Sequence, residues 1–229
     1  LIHYYMQSTE TTEANDEISS IPKRYQALSA RATYSYKDAY LIEGNVGYTG
    51  SENFEPGKQF GLFPAIALGW IPTQYEFMQN HAGWLNFLKI RASYGEVGND
   101  KIGSEKYYYL QTYPMLTSYR PSFGIDNNPE NRIYEGKEGN IDVTWERARK
   151  LNIGIDMRLF DSKLALTVDA FTEKRINILD YDRAISTIYG MLGATDSNKG
   201  FPPQNLGEVR NSGFEVDASF NDKIGDVSY

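Results

Sequence analysis

Apolar and polar positions alternate through residues 151–171, LNIGIDMRLFDSKLALTVDAF. Leu151, Ile153, Ile155, Met157 and Leu159 are interleaved with Asn152, Gly154, Asp156 and Arg158. A helical period would put Asn152 and Arg158 on the stripe of Ile155. A period of two fits every position from 151 to 159 and predicts a strand. After Asp161 and Ser162 the beat resumes with Leu164, Leu166, Val168 and Ala170, against Ala165, Thr167 and Asp169. Cross-strand neighbours share a face, so the hairpin should set Leu159 opposite Leu164, Met157 opposite Leu166 and Ile155 opposite Val168. The same register sets Lys150 opposite Glu173.

The pattern repeats along the chain. Leu28, Ala30, Ala32, Tyr34 and Tyr36 alternate with Ser29, Arg31, Thr33 and Ser35. Tyr40, Ile42, Val46 and Tyr48 oppose Glu43 and Asn45. Leu88, Ile90, Ala92 and Tyr94 oppose Lys89, Arg91 and Ser93. Phe214, Val216, Ala218 and Phe220 oppose Glu215, Asp217 and Ser219. The stretch GLFPAIALGW is apolar on both faces, and its Pro64 needs a place where a missing N–H is tolerated.

The links between strands alternate in length. Lys37–Ala39, Asp161–Ser162 and the stretch 221–226 are short; 8–22, 51–59, 98–143 and 182–206 are long. One link departs from this: PTQYEFMQNHAGW, 72–84, falls at the short-turn end, and its Thr73 and Glu76 stand at capping-box spacing, predicting one or two helical turns. About nine strands running up and down are expected, with no link that requires a parallel crossover. The expected fold class is therefore all-β, an antiparallel up-and-down meander, with residues 1–229 forming part of one domain. Both ends of the chain read as strand, which points to a section of a longer protein.

Two architectures fit this alternation. In a soluble or surface-attached β-sandwich, for example a carbohydrate-binding one, the apolar row faces a core. In a transmembrane barrel it faces lipid, and the polar row faces a lumen. Three features favour the barrel: strands of about 9–11 residues or more, short turns at one end with long loops at the other, and aromatics beside the short turns. Those are Tyr34, Tyr36, Tyr40, Trp70, Phe160 and Phe220, the arrangement of an interfacial girdle. A passive porin-like channel is a third reading.

Composition narrows the choice. The 229 residues include 18 Tyr, 11 Phe and 3 Trp, which suits strands and membrane interfaces. No apolar run approaches the roughly 18 residues of a membrane helix. There is no cysteine, hence no disulfide or thiolate chemistry, and the net charge of −7 argues against a nucleic-acid partner.

Several segments together resemble the SusC/RagA, starch-utilisation type of TonB-dependent transporter. Phe54, Pro56 and Gly57 lead into Gly61, Phe63, Pro64, Gly69 and Trp70. Trp84, Leu88, Lys89, Arg91, Ser93, Tyr94, Gly95, Gly98 and Asn99 look like the next family segment. Trp145 and Glu146 are similar to its Trp-Glu strand, and Gly207, Glu208, Val209, Asn211 and Gly213 to a later one. The matches come in family order. The resemblance implies a section of a barrel of about 22 strands with an N-terminal plug. It also implies a place in the bacterial outer membrane and import of oligosaccharides or peptides. The expected partners are outer-membrane lipid, the TonB complex through regions outside this section, and a SusD-like lid lipoprotein.

On the barrel reading Leu88, Ile90, Ile153, Ile155, Met157, Leu166, Val168 and Val216 face lipid. Arg31, Glu43, Lys89, Arg91, Asp156, Arg158, Asp169, Glu215 and Asp217 face the lumen, lining a path, gripping the plug, or pairing with one another as a solvated wall. Tyr107, Tyr108, Tyr109, Tyr113 and Tyr119 in the longest loop are candidates for stacking on sugar rings or meeting the lid; the competing reading packs them loop against loop. Asp126, Asn127, Asn128, Glu130 and Asn131 form an oxygen-rich loop, but the glycine and spacing of an EF-hand are missing and a turn explains it. No nucleophile elbow, P-loop or zinc spacing is present, and His3 and His81 are far apart. No catalytic residue, cofactor or metal is expected, and the protein is not read as an enzyme.

Overall fold

The computed structural model describes residues 1–10, 18, 20–81, 83–101, 106–113, 115–116, 122–123, 128–129, 132–133, 138–181, 202–224 and 227–228. In chain order the strands begin with β1 (Ile2–Thr9), β2 (Lys23–Tyr36), β3 (Tyr40–Ser51), β4 (Phe60–Trp70) and β5 (Leu85–Asn99). Four two-residue strands follow in the longest loop, β6 (Met115–Leu116), β7 (Ser122–Phe123), β8 (Asn128–Pro129) and β9 (Arg132–Ile133). The chain then continues through β10 (Glu146–Leu159), β11 (Leu164–Tyr181), β12 (Pro203–Phe220), β13 (Lys223–Ile224) and β14 (Val227–Ser228). A 3-10 turn (Pro72–Gln74) and a short helix α1 (Glu76–His81) fill the link between β4 and β5.

Eight strands make one antiparallel sheet in the order β1-β2-β3-β4-β5-β10-β11-β12, each paired with its sequence neighbour in the sheet. The expected ninth strand is the short β13–β14 pair, which stands apart from the main sheet. The hairpin register is the expected one: Leu159↔Leu164, Met157↔Leu166, Ile155↔Val168 and Lys150↔Glu173. Lys150 Nζ lies 3.3 Å from Glu173. Its turn takes three consecutive left-handed residues, Phe160, Asp161 and Ser162, closed by Lys163 N–H donating to Phe160 O at 3.1 Å. The β2–β3 turn uses Lys37 and Asp38 in the same way. Such primed turns match the twist of the strands they join.

On β3, β4 and much of β10 the apolar row is the more exposed one, the reverse of a soluble protein, whereas both faces of β12 are open. Along β4, Leu62, Pro64, Ile66, Leu68 and Trp70 are exposed, whereas Phe63, Ala65, Ala67 and Gly69 are partly covered. Ile66 is 50% exposed, Ile153 51% and Val216 61%, although each sits in the apolar row. No second sheet covers that row among the described residues. The sandwich reading required one. Pro64 lies one residue beyond Ala65↔Gly95, where the ladder to β5 begins. Its lost donor therefore falls at a ladder's end.

The apolar row has limits. On β10 it spans Leu151 to Leu159, about 26 Å of strand at about 3.3 Å per residue. A tilt of about 40° brings that to about 20 Å, near the height of a barrel's apolar band. Beyond Leu151 the same alternation brings Arg149 beside Glu96 and Lys174, all charged. The 18-residue strands β11 and β12 are longer than a tilted crossing needs.

Candidate functional site

The polar face carries the candidate lumen residues, and register brings them together. Asp156 lies across from Lys89 and Thr167, and Thr167 across from Asp217. Gly154 lies across from Arg91 and Asp169, and Asp169 across from Glu215. Arg91 is the hub. Its Nε donates to Asp156 Oδ2 at 3.1 Å, one Nη to Asp169 Oδ2 at 2.6 Å, and the other to Asn152 Oδ1 at 3.3 Å. The guanidinium passes directly over Gly154. A Cβ there would stand 2.6 Å from both Arg91 Cζ and Asp169 Oδ1. Glycine is the residue that lets an arginine bridge three strands at this level. Neither Gly154 nor Asn152 stood among the sequence candidates. The signal available was the gap that Gly154 leaves in an otherwise polar row.

A second pair, Arg31 with Glu43 at 2.5 Å, lies on the same face of β2 and β3, with Asn45 donating to Glu43 at 2.8 Å. Between the two charged groups is a floor of small residues, Ala67 and Gly69. The hollow above it measures about 620 Å³ and is bounded by Glu43, Lys89, Arg91 and Asn152. Arg158 rests over the Phe87 ring at 5.6 Å. The polar face thus carries two groups of paired charges with a shallow recess between them.

Replacing Arg91 with methionine is expected to cost about 1–3 kcal/mol of stability, since Asp156 and Asp169 would lose charge-assisted bonds. Adding Asp156→Asn and Asp169→Asn to that variant should restore most of the loss. Denaturant unfolding of the full-length protein reads both.

At the loop end the chain builds a small core. Phe54, Tyr108, Val143, Trp145 and Leu179 are buried together, with Phe63 against them. The Phe54 ring lies 5.1 Å from that of Trp145 and 6.0 Å from that of Tyr108. Trp145 Nε1–H donates to Gln59 O at 3.2 Å. Polar groups close the cluster. Ser51 donates to Asp100 Oδ2 at 2.5 Å, and the Asn53 amide and the Tyr108 hydroxyl donate to Asp100 O at 2.8 and 2.9 Å. Asn205 exchanges two 2.9 Å bonds with the Thr144 backbone and donates to Asn177 O at 2.7 Å. Asn177 is left-handed (φ +57°), and the β11–β12 register shifts there. Such a bulge re-aims the strand, and it stands two residues before Leu179.

The candidate tyrosines divide. Tyr108 is fully buried in this core and Tyr107 nearly so, its hydroxyl donating to Pro22 O at 2.6 Å. Tyr109 is partly covered and Tyr113 exposed. Tyr119 lies outside the described residues, as does most of the loop 126–131. Burial, with the Glu52 carboxylate nearby, pushes the Tyr107 hydroxyl from its ordinary 10.0 up to about 12. The unfolded chain therefore releases this proton first as pH rises. The contribution of Tyr107 to stability is intact below pH 10 and is lost between 10 and about 12. Burial raises Tyr25 and Tyr109 as well, so phenolate absorbance of the folded protein should show a late-titrating group of tyrosines whose amplitude Tyr107→Phe lowers by one.

Residues that carried the family resemblance meet in this structure. Phe54 packs on Trp145, and Gly57 takes φ +101° in the loop that joins β3 to β4. Gly61 and Gly98 leave room for the Phe63 ring, and Gly207 for Ile178. They are far apart in sequence and act as one lock on the loop ends.

The sequence profile described as TonB dependent receptor-like, beta-barrel matches residues 3–229. The chain belongs to this family. It is 32% identical over 213 residues to TonB-dependent receptor P39 of Formosa agariphila, covering 93% of this chain and 18% of that protein. It is 27% identical over 186 residues to TonB-dependent receptor SusC of Bacteroides thetaiotaomicron, covering 81% of this chain and 17% of that protein. The fold is similar to that in the RagAB peptide importer in its closed-closed state, with a TM-score of 0.72 at 21% identity, over 90% of this chain and 20% of the other. TonB-dependent receptor barrels are outer-membrane proteins, and the likenesses to SusC and to the RagAB importer agree with that place. The chain spans less than a fifth of the length of these curated relatives.

Proposed function

We propose that this chain forms a section of the barrel wall in an outer-membrane importer that moves oligosaccharides or peptides into the periplasm without altering them. The observation that carries the reading is the inverted sorting of the sheet. On β3, β4 and β10 its apolar row is the more exposed, as lipid contact requires, and its polar row holds the Arg31–Glu43 and Arg91–Asp156–Asp169 groups beside a recess. In this role Ile90, Ile153, Ile155, Met157, Val168 and Val216, with Leu88 and Leu166, meet hydrocarbon. Arg31, Glu43, Lys89, Arg91, Asp156, Arg158, Asp169, Glu215 and Asp217 face the lumen. Among the described residues, Tyr109 and Tyr113 are the loop tyrosines with surface to offer a ligand or a SusD-like lid, while Tyr107 and Tyr108 hold the loop that presents them. Energy coupling through TonB belongs to parts of the importer beyond these strands.

The test is uptake. A strain lacking the full-length protein should fail to accumulate one class of labelled glycan or peptide, and recover it on complementation. Recovery should be lost when the TonB complex is disabled. Accumulation that persists without TonB would identify a passive channel and contradict the reading.

A further inference from the structure

The link from Pro72 to Trp84 is longer than a hairpin needs, since two to five residues join antiparallel strands. The extra residues fold as the 3-10 turn and α1. Tyr75 shows the side of the sheet on which they lie. Its ring meets that of Tyr40 edge-on at 6.4 Å, and Tyr40 is the cross-strand partner of Tyr36 and Trp70 in the apolar row. Phe77 follows, 6.0 Å from the Tyr75 ring and 58% exposed. The segment therefore folds against the apolar side of the wall at the level of its aromatic end, not beneath the polar face.

It is also held firmly. Ile71 and Pro72 are buried, and Ile71 N–H donates to Ala39 O at 2.8 Å. Leu88 N–H donates to Thr73 Oγ1 at 3.2 Å, and Phe160 N–H to Trp84 O at 2.9 Å. Thr73 lies inside the 3-10 turn and not at the head of α1, so the capping-box expectation gives way to this tie to β5. Phe77 and Trp84 are both more than half exposed on this fixed frame. The segment carries no lysine or arginine, and Glu76 is its one carboxylate.

We propose that residues 72–84 form an in-plane anchor that seats Phe77 at the boundary between headgroups and acyl chains of the periplasmic leaflet. The occupant is phospholipid. The segment continues the apolar face at the height where aromatic rings favour the interface, and short turns of such barrels face the periplasm. With no lysine or arginine to attract anionic headgroups, the contact is apolar and indifferent to headgroup charge. The inference rests on the proposed contact of the apolar face with lipid.

The experiment uses the full-length protein in lipid nanodiscs, with any native cysteine replaced. A bimane label is placed at Phe77→Cys, at Ile66→Cys on the apolar face, and at Asp38→Cys in a turn. Brominated phosphatidylcholine should quench the Phe77→Cys label several-fold more than the Asp38→Cys label, and close to the Ile66→Cys label. Exchanging part of the lipid for phosphatidylglycerol should leave this unchanged. Phe77→Trp, which keeps a ring in place, repeats the reading without a label through its added emission. Quenching of position 77 by aqueous iodide as at Asp38 would overturn the proposal, as would shielding from both quenchers. Failure of brominated lipid to quench Ile66→Cys would overturn the lipid-facing assignment itself.

Discussion

Truncating Trp145 to alanine should cost about 3–5 kcal/mol of unfolding free energy in the full-length protein. The indole is 5% exposed, lies between the Phe54 and Phe63 rings at 5.1 and 5.3 Å, and donates to Gln59 O. Removing it opens a cavity and takes from Gln59 O one of its two donors, the Ser51 N–H at 3.0 Å remaining, so the cavity carries most of the cost. Tyr113→Ala, at an exposed ring of the neighbouring loop, should change stability by no more than about 0.5 kcal/mol. Denaturant titration in detergent, followed by heat-modifiable migration, compares the two. Equal effects would mean that the aromatic cluster does not lock the loop ends. Elsewhere the main sheet is one layer, so this cluster is where its long loops find a dry interior.

The second large effect concerns the opposite surface. Ile155 sits midway along the apolar stretch of β10 and is 37% exposed. Ile155→Arg should destabilise the inserted protein by about 2–4 kcal/mol, the cost of a guanidinium at the bilayer midplane. Thr167→Arg is the matched control. Thr167 is the cross-strand neighbour of Asp156 and Asp217 on the polar face, where a cation is solvated and partnered. Its change should stay within about 1 kcal/mol. Two substitutions of the same chemistry at adjacent heights then separate the faces by side alone. Equal penalties would mean that protein, and not lipid, covers Ile155.

The strands, their register and their antiparallel order were legible because a side-chain period of two leaves no freedom once one face must be apolar. Lys150 opposite Glu173 follows from that constraint. The alternation could not say what covers the apolar row, since a protein core and an acyl chain select the same side chains. Exposure of Ile66, Ile153 and Val216 in the folded sheet supports the acyl-chain reading proposed above. The Arg91 hub was half legible: its carboxylate partners belong to the polar row, but the role of Gly154 emerges only when the guanidinium path is known. The loop tyrosines were the least legible. Tyr107 takes φ +49° and turns Tyr108 into the core, and spacing along a loop does not reveal such a reversal. The family motifs had the converse character. They were plain as words along the chain, while their meeting around Trp145 depends on strand lengths and loop paths.

The central claim is that acyl chains solvate the apolar row. Spin labels placed singly at Asn152, Ile153, Ile155, Asp156 and Met157 of the full-length protein in bilayers test it most directly. Collision with lipid-dissolved oxygen should be high at 153, 155 and 157 and low at 152 and 156, and collision with an aqueous nickel chelate should be low at all three apolar positions. Uniformly low oxygen collision at Ile153, Ile155 and Met157, as under a protein cover, would contradict it.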